Sequence, residues 1–188
     1  MAGRKLYFFF EPILLVLVFF IRLLPYGFRC ALYNFSVSIP SYIGTALRFV
    51  FLKSVLKSVG KNVYVGRYVI IKNFKNLSVG NNVSLHEFCY IDALGEISIG
   101  DNVSIAHRSS IISFDHGYDD SNTPIKYNPL CAGKITIEND VWIGAGVTIL
   151  KDVLISQRVI VAAGAVVLND LVSNHIYGGI PARKLKEI

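Results

Sequence analysis

Acid is almost missing from the first sixty residues, where Glu11 stands alone against Arg4, Lys5, Arg22, Arg29, Arg48, Lys53 and Lys57. Cysteine is scarce too. Cys30, Cys89 and Cys131 are an odd number with no CxxC spacing, which argues against a disulfide framework and fits a reducing compartment. Of the four histidines, His86, His107 and His116 are 21 and 9 residues apart, with no close pair. A metal needs ligands that converge within bond length, so no metal site is expected. Charged residues make up only 17% of the chain. A long apolar run is missing as well: the uninterrupted stretch covers residues 13–21, and residues 6–25 include Glu11, Pro12 and Arg22. A spanning helix wants about 20 predominantly apolar residues, which leaves a transmembrane helix marginal. No small-x-small pattern follows Leu24, against a cleaved signal peptide.

What is present is apolar: 53% of the 188 residues are hydrophobic, enough for one compact domain with an appendage. Residues 61–188 hold twelve Lys/Arg and twelve Asp/Glu, so the whole net charge of +6 lies in the first third. Basic charge and apolarity therefore coincide there, as suits a membrane lipid surface; no nucleic-acid partner is expected. A second helix is expected from Ser41, which can cap it, towards Gly60, which can end it. Residues 1–58 read as a helical membrane-docking region, with a helical cap buried against the main domain or a neighbouring subunit as the other reading.

From Val59 the chain counts in sixes. Aliphatic residues recur at Val59, Val65, Ile71; Val79, Leu85, Ile91; Ile99, Ile105, Ile111; Ile137, Ile143, Ile149; and Ile155, Val161, Val167. Neither a helical period nor strand alternation gives this spacing; a hexapeptide β-helix does. The eight-residue steps and the long one all follow a third repeat, which predicts triangular coils with every insertion leaving one corner. Asn62, Asn82, Asn102 and Asp140 share a turn position where left-handed backbone is tolerated. Residues 113–134, beginning SFDHGYDD, form the long insertion, and long loops on tight scaffolds tend to carry function. The boundaries are 1–58, 59–172 for the repeat, and 173–188 for a basic tail.

The repeat, the loop DHGYDD, the segments ITIENDVWIGAGVTIL and VIVAAGAVV, and the tail GGIPARKLKEI together resemble the left-handed β-helix hexapeptide acyltransferases. The resemblance covers about residues 59–188 and is closest to sugar O-acetyltransferases, in particular those that decorate bacterial surface polysaccharides. It implies an all-β left-handed parallel β-helix of about five triangular coils, a homotrimer, and acetyl-CoA as co-substrate. His116 then matches the catalytic loop base, with Asp115 or Asp119 available to orient it. Trp142 lies beside the acyl-donor cleft in the family; an interface filler is its other reading. Gly144 and Ala145 match the place where a backbone N–H faces the thioester, and Ala163 a main-chain contact to the pantetheine arm. Arg183 and Lys186 match basic positions at the nucleotide end. Leu168 and Asn169 depart from the family's Thr-Lys. Asp92, and less directly His86 near the same corner, are expected to meet the acceptor; His107 and His175 are expected to be structural or exposed.

The implied activity is acetyl transfer to a sugar hydroxyl of a bacterial surface polysaccharide or its lipid-linked precursor, at the cytoplasmic face of the inner membrane. Two other readings stay open. One is N-acetylation of an amino-sugar nucleotide; the other is a membrane-bound scaffold without activity, which would not bind acetyl-CoA.

Overall fold

The computed structural model describes residues 2–188. Three helices lead: α1 (Ala2–Arg22), α2 (Tyr26–Ser36) and α3 (Ser41–Val55). Short strands then stack in parallel as three sheets. Sheet A takes Ser58–Val59, Leu77–Val79, Ile97–Ile99, Ile135–Ile137 and Leu154–Ile155. Sheet B begins with Tyr64–Val65, Ser84–Leu85, Ser104–Ile105, Trp142–Ile143 and Ile160–Val161. Sheet C takes Ile70–Lys72, Tyr90–Asp92, Ser110–Ile112, Thr148–Ile149 and Val166–Val167. The chain visits A, B and C in turn, so the sheets are the faces of a parallel β-solenoid.

The six-residue rhythm is the reason. Val65, Leu85, Ile105, Ile143 and Val161 all point inward from sheet B and are fully buried. Each stacks on its equivalent in the next coil, about 4.8 Å away. Outward-facing neighbours pair in the same register, as in Tyr64 with Ser84 and Trp142 with Ser104. At the A–B edge Asn62, Asn82, Asn102 and Asp140 adopt φ of 52°, 56°, 58° and 58°. Their amides form a ladder, Asn62 Nδ2 donating to Asn82 Oδ1 and Asn82 Nδ2 to Asn102 Oδ1, each at 3.0 Å. All three irregular connections leave the C–A edge: the turn Phe74–Asn76, residues 93–96, and residues 113–134. The expectation of one loop-bearing corner is met.

The helices cover the open end of the first coil. Tyr33 Oη donates to Val69 O at 3.0 Å, Arg48 Nε to Val65 O at 2.8 Å, and Lys53 Nζ to Val59 O at 2.6 Å. Arg48 is buried, and its other nitrogens donate to Ser36 O, Ile39 O and Thr45 Oγ1. Desolvation lowers its pKa from the usual guanidinium value, with nearby phenol and carboxyl groups opposing.

Several details differ from the sequence expectation. Ser41 makes no side-chain cap and sits at φ 72°, with Pro40 preceding the helix. Gly60 does not end α3; the helix stops at Val55, and Leu56 turns to extended backbone so that Lys57 N reaches Leu77 O at 3.2 Å. Helix α2 was not expected. Helix α3 is buried from Arg48 onward on nearly every side, so this part is a cap against the solenoid. No helix among the described residues is long and apolar enough to cross a membrane. At the far end, the expected tail forms two strands, His175–Gly178 and Arg183–Glu187, which extend sheet B.

Candidate functional site

The long insertion is a braced structure. Phe114–His116 pairs antiparallel with Leu130–Ala132, placing His116 opposite Leu130 and Asp115 opposite Cys131. Gly117 N donates to Pro129 O at 2.8 Å, and a Cβ at Gly117 would lie 2.9 Å from the same oxygen, so a side chain is not accommodated without a shift. At the tip the Asp120 carboxylate accepts from Asn122 N at 2.9 Å and from Thr123 Oγ1 at 2.7 Å. Buried Asn128 donates to Thr123 O at 2.8 Å and ties the returning arm. At the base Ser113 Oγ donates to Asp92 O at 2.8 Å and accepts from Gly95 N at 2.9 Å.

His116 is exposed, and its ring has no hydrogen bond or ion pair among the described residues. Asp115, its neighbour on the strand, points to the other face and pairs with Lys151 at 3.7 Å. Asp119 is exposed and makes no side-chain bond. Neither aspartate orients the imidazole within this chain.

Asp92 lies one coil below the loop, as expected, but its side chain is 5% exposed. Its carboxylate accepts from Asn73 Nδ2 at 2.6 Å and Tyr90 Oη at 3.2 Å, which use two of its acceptor positions within the chain. His86 is not at that corner. It lies at the B–C edge, 3.9 Å from Glu87 and beside the Tyr64 ring. His107 is exposed, and His175 Nδ1 lies 2.6 Å from Ser173 O. No group of three His, Cys, Asp or Glu able to hold a metal ion occurs among the described residues.

The remaining expected residues gather on sheet B and its B–C edge. Trp142 pairs with Ile160, Ile160 with Ile176, and Ile176 with Lys186, forming one line across the outer face. Three strand spacings separate Trp142 from Lys186, about 14 Å. Trp142 is 54% exposed and borders a groove of about 260 Å³ together with Asn102, Asp140, Arg158, Ile160 and Ile188. The carboxy-terminal Ile188 and the Arg158–Asp140 pair at 3.2 Å were not singled out from sequence.

The B–C edge changes character along its length. The lower coils carry Arg67-Tyr68, Glu87-Phe88 and His107-Arg108; the next two carry Ala145-Gly146 and Ala163-Gly164. The second residue of each pair has φ between 59° and 73°. Large side chains are therefore tolerated at this turn, and their loss on two consecutive coils bares the backbone. The amides of Ala145 and Ala163 donate to no group of the described chain. Gly144 is needed for stacking, since a Cβ there would lie 2.6 Å from Ala163 N. Above them the turn through Gly179 is bonded to Val166 and leads into Arg183, opposite Gly178. Leu168 and Asn169 are exposed.

One chain thus assembles Trp142, Gly144, Ala145, Ala163, Arg183 and Lys186 on one face and edge, with His116 on a different edge. Residues 134–169 match the family model described as bacterial transferase hexapeptide (six repeats). A maltose O-acetyltransferase structure from Clostridium difficile 630 is 27% identical, with TM-score 0.78, covering 87% of this chain and 86% of that one. A galactoside acetyltransferase in complex with coenzyme A is 28% identical, with TM-score 0.78, covering 86% of this chain and 80% of that one. A 2,3,4,5-tetrahydropyridine-2,6-dicarboxylate N-acetyltransferase from Enterococcus faecalis is 40% identical over 60 residues, 32% of this chain and 26% of that protein. The chain therefore spans about a quarter of the length of the curated relatives it matches. Residues 134–169 thus carry the bacterial transferase hexapeptide repeat, in a solenoid similar along most of its length to those of a maltose O-acetyltransferase and a galactoside acetyltransferase.

Proposed function

We propose that the chain transfers an acetyl group from acetyl-CoA to a sugar hydroxyl, with His116 as general base. The observation that carries this reading is the unpaired His116 imidazole, held out to solvent on a loop braced at both base and tip. The acceptor O–H gives its proton to the neutral ring while its oxygen bonds to the thioester carbon. The resulting tetrahedral oxyanion collapses, the C–S bond breaks, and coenzyme A leaves as thiol with the proton returned by the imidazolium. This route needs no covalent enzyme intermediate.

The donor is assigned to the bared B–C edge. The pantetheine arm runs past the free amides of Ala145 and Ala163, the first of them poised to stabilise the oxyanion. Trp142 walls the cleft, and Arg183 and Lys186 meet the phosphates through charge-assisted contacts. The coenzyme A complex of the 28% identical galactoside acetyltransferase supports this donor. Because His116 and this edge are apart within one chain, the loop of one subunit would complete the donor edge of the next in a homotrimer. The acceptor class is a surface polysaccharide sugar or its lipid-linked precursor.

A second reading, N-acetylation of an amino sugar, is favoured by the similarity of one segment to N-acetyltransferases. Coenzyme A release from acetyl-CoA, followed with hydroxyl-bearing sugars, amino-sugar nucleotides and glycolipid extracts, separates the two. His116→Ala is expected to lower turnover by about 10²–10⁴-fold while coenzyme A still binds. A wild-type chain that binds no acetyl-CoA would leave the scaffold reading in its place.

A further inference from the structure

Helix α1 presents the opposite of an ordinary surface helix. Its inward stripe contains Tyr7, Glu11, Leu14, Val18 and Ile21. Its one acid, Glu11, is turned toward the protein, accepting from Tyr7 Oη at 3.4 Å and pairing with Lys61 of the solenoid at 3.5 Å. The outward face carries Phe9, Ile13, Val16, Phe19 and Phe20, each exposed, and Leu23 follows just past the helix end, with Phe9 at 76% and Leu23 at 70%. Twenty-one residues make a helix about 31 Å long, so this is a continuous apolar strip far larger than scattered surface hydrophobics.

We propose that this strip lies in the surface of an anionic phospholipid bilayer, with α1 parallel to the membrane plane. Charge selects that occupant. Lys5 stands near the start of the helix and Arg22 at its end, both exposed, and no exposed carboxylate among residues 5–60 answers them. A second copy packed strip to strip would bring these cations together without a counter-charge. A lipid headgroup layer supplies the counter-charge and receives the aromatic side chains.

The orientation follows from the other face. Leu14 and Val18 are buried, and the Tyr7 ring meets the Phe49 ring of α3 at 5.4 Å. Lipid can therefore surround only half of the helix, which is incompatible with insertion across the bilayer, and no described helix is apolar enough to cross. Arg22 donates to Lys53 O at 3.1 Å, which fixes the end of α1 to the capped solenoid. Docking of this kind is independent of acetyl transfer.

The test is flotation of the full chain with vesicles of phosphatidylcholine alone and of equimolar phosphatidylcholine and phosphatidylglycerol. The mixed vesicles are expected to carry the protein, less so as salt rises. The triple variant Phe9→Ser, Val16→Ser, Phe20→Ser should lower partitioning more than about tenfold, with an unchanged thermal melt. Should that variant misfold, Phe20→Trp supplies a second reading: a blue shift on mixing with vesicles, absent from the parent Trp142 signal. Equal flotation of parent and well-folded triple variant would overturn the proposal. So would failure of the parent to bind either vesicle, resistance to alkaline carbonate extraction, or loss of oligomers in the triple variant without vesicle binding.

Discussion

Replacement of Ala163 by glutamate separates a role in the fold from a role in binding. The same turn position holds Arg67, Glu87 and His107 on other coils, and Ala163 is itself exposed. A large side chain there meets the same backbone geometry that three coils already tolerate, so the stability change should stay within about 0.5 kcal/mol. Binding should respond differently. The added carboxylate covers the bared edge and shields the amides of Ala163 and neighbouring Ala145, which have no protein partner. Two hydrogen bonds at about 0.5–1.5 kcal/mol each amount to about 1–3 kcal/mol. At about 1.4 kcal/mol per factor of ten, coenzyme A affinity should fall roughly 5- to 150-fold. Titration calorimetry with coenzyme A, beside a thermal melt of each variant, checks both halves. A stable Ala163→Glu protein with parental affinity would refute the assignment of this edge to the donor. A large loss of stability would refute the equivalence of the turns.

The corner ladder and the buried thiol give two further tests. Asn82→Ala removes one amide donated to Asn102 and one accepted from Asn62 at a residue with φ 56°. It should cost about 2 kcal/mol by denaturant unfolding, and Asn82→Gly less, because glycine tolerates the left-handed backbone; equal costs would mean that geometry contributes nothing there. Burial pushes the Cys89 thiol up to about 11. A raised thiol pKa keeps the folded protein neutral at that sulfur, so only about one in a thousand is thiolate at pH 8, and alkylation should reach the partly exposed Cys131 before Cys89, which should react only in denaturant. Mass spectrometry of timed alkylation reads this directly, and early labelling of Cys89 would contradict it.

The solenoid was legible because its constraint repeats. An inward side chain every six residues must fit the same triangular interior, so Ile105, Ile143 and Val161 betray it one after another. The loop was legible as an interruption, and the structure shows it as a braced insertion. The helical cap was harder to read. Helix α2 went unread: Pro25 precedes it and Gly27, a weak helix former, lies inside it. Helix α3 is buried on nearly every side from Arg48 onward, so that half lacks the polar stripe that marks an amphipathic helix, and Arg48, counted among the basic charges that suit a membrane surface, is buried there. Within the site, sequence placed Asp115 and Asp119 beside His116, but chain proximity does not set direction. The strand turns Asp115 away to Lys151, which arrives from the next coil. Asp92 was located correctly, while its burial depended on Asn73 and Tyr90, which only the folded edge brings to it.

A stacked solenoid is a growing surface unless something stops it. The carbonyls of Val59, Val65 and Val69 belong to the first coil, and each is held by a side chain from the helices, Lys53, Arg48 and Tyr33 in turn. Tyr68 N is likewise taken by Val37 O at 3.0 Å. These are the groups onto which another coil, from another chain, would otherwise add by the same parallel pairing that joins coils within the molecule. The helical region therefore acts as a chain terminator in the polymer sense. A fragment that begins at residue 58 would present an unsatisfied template, and its expected fate is end-to-end filament growth.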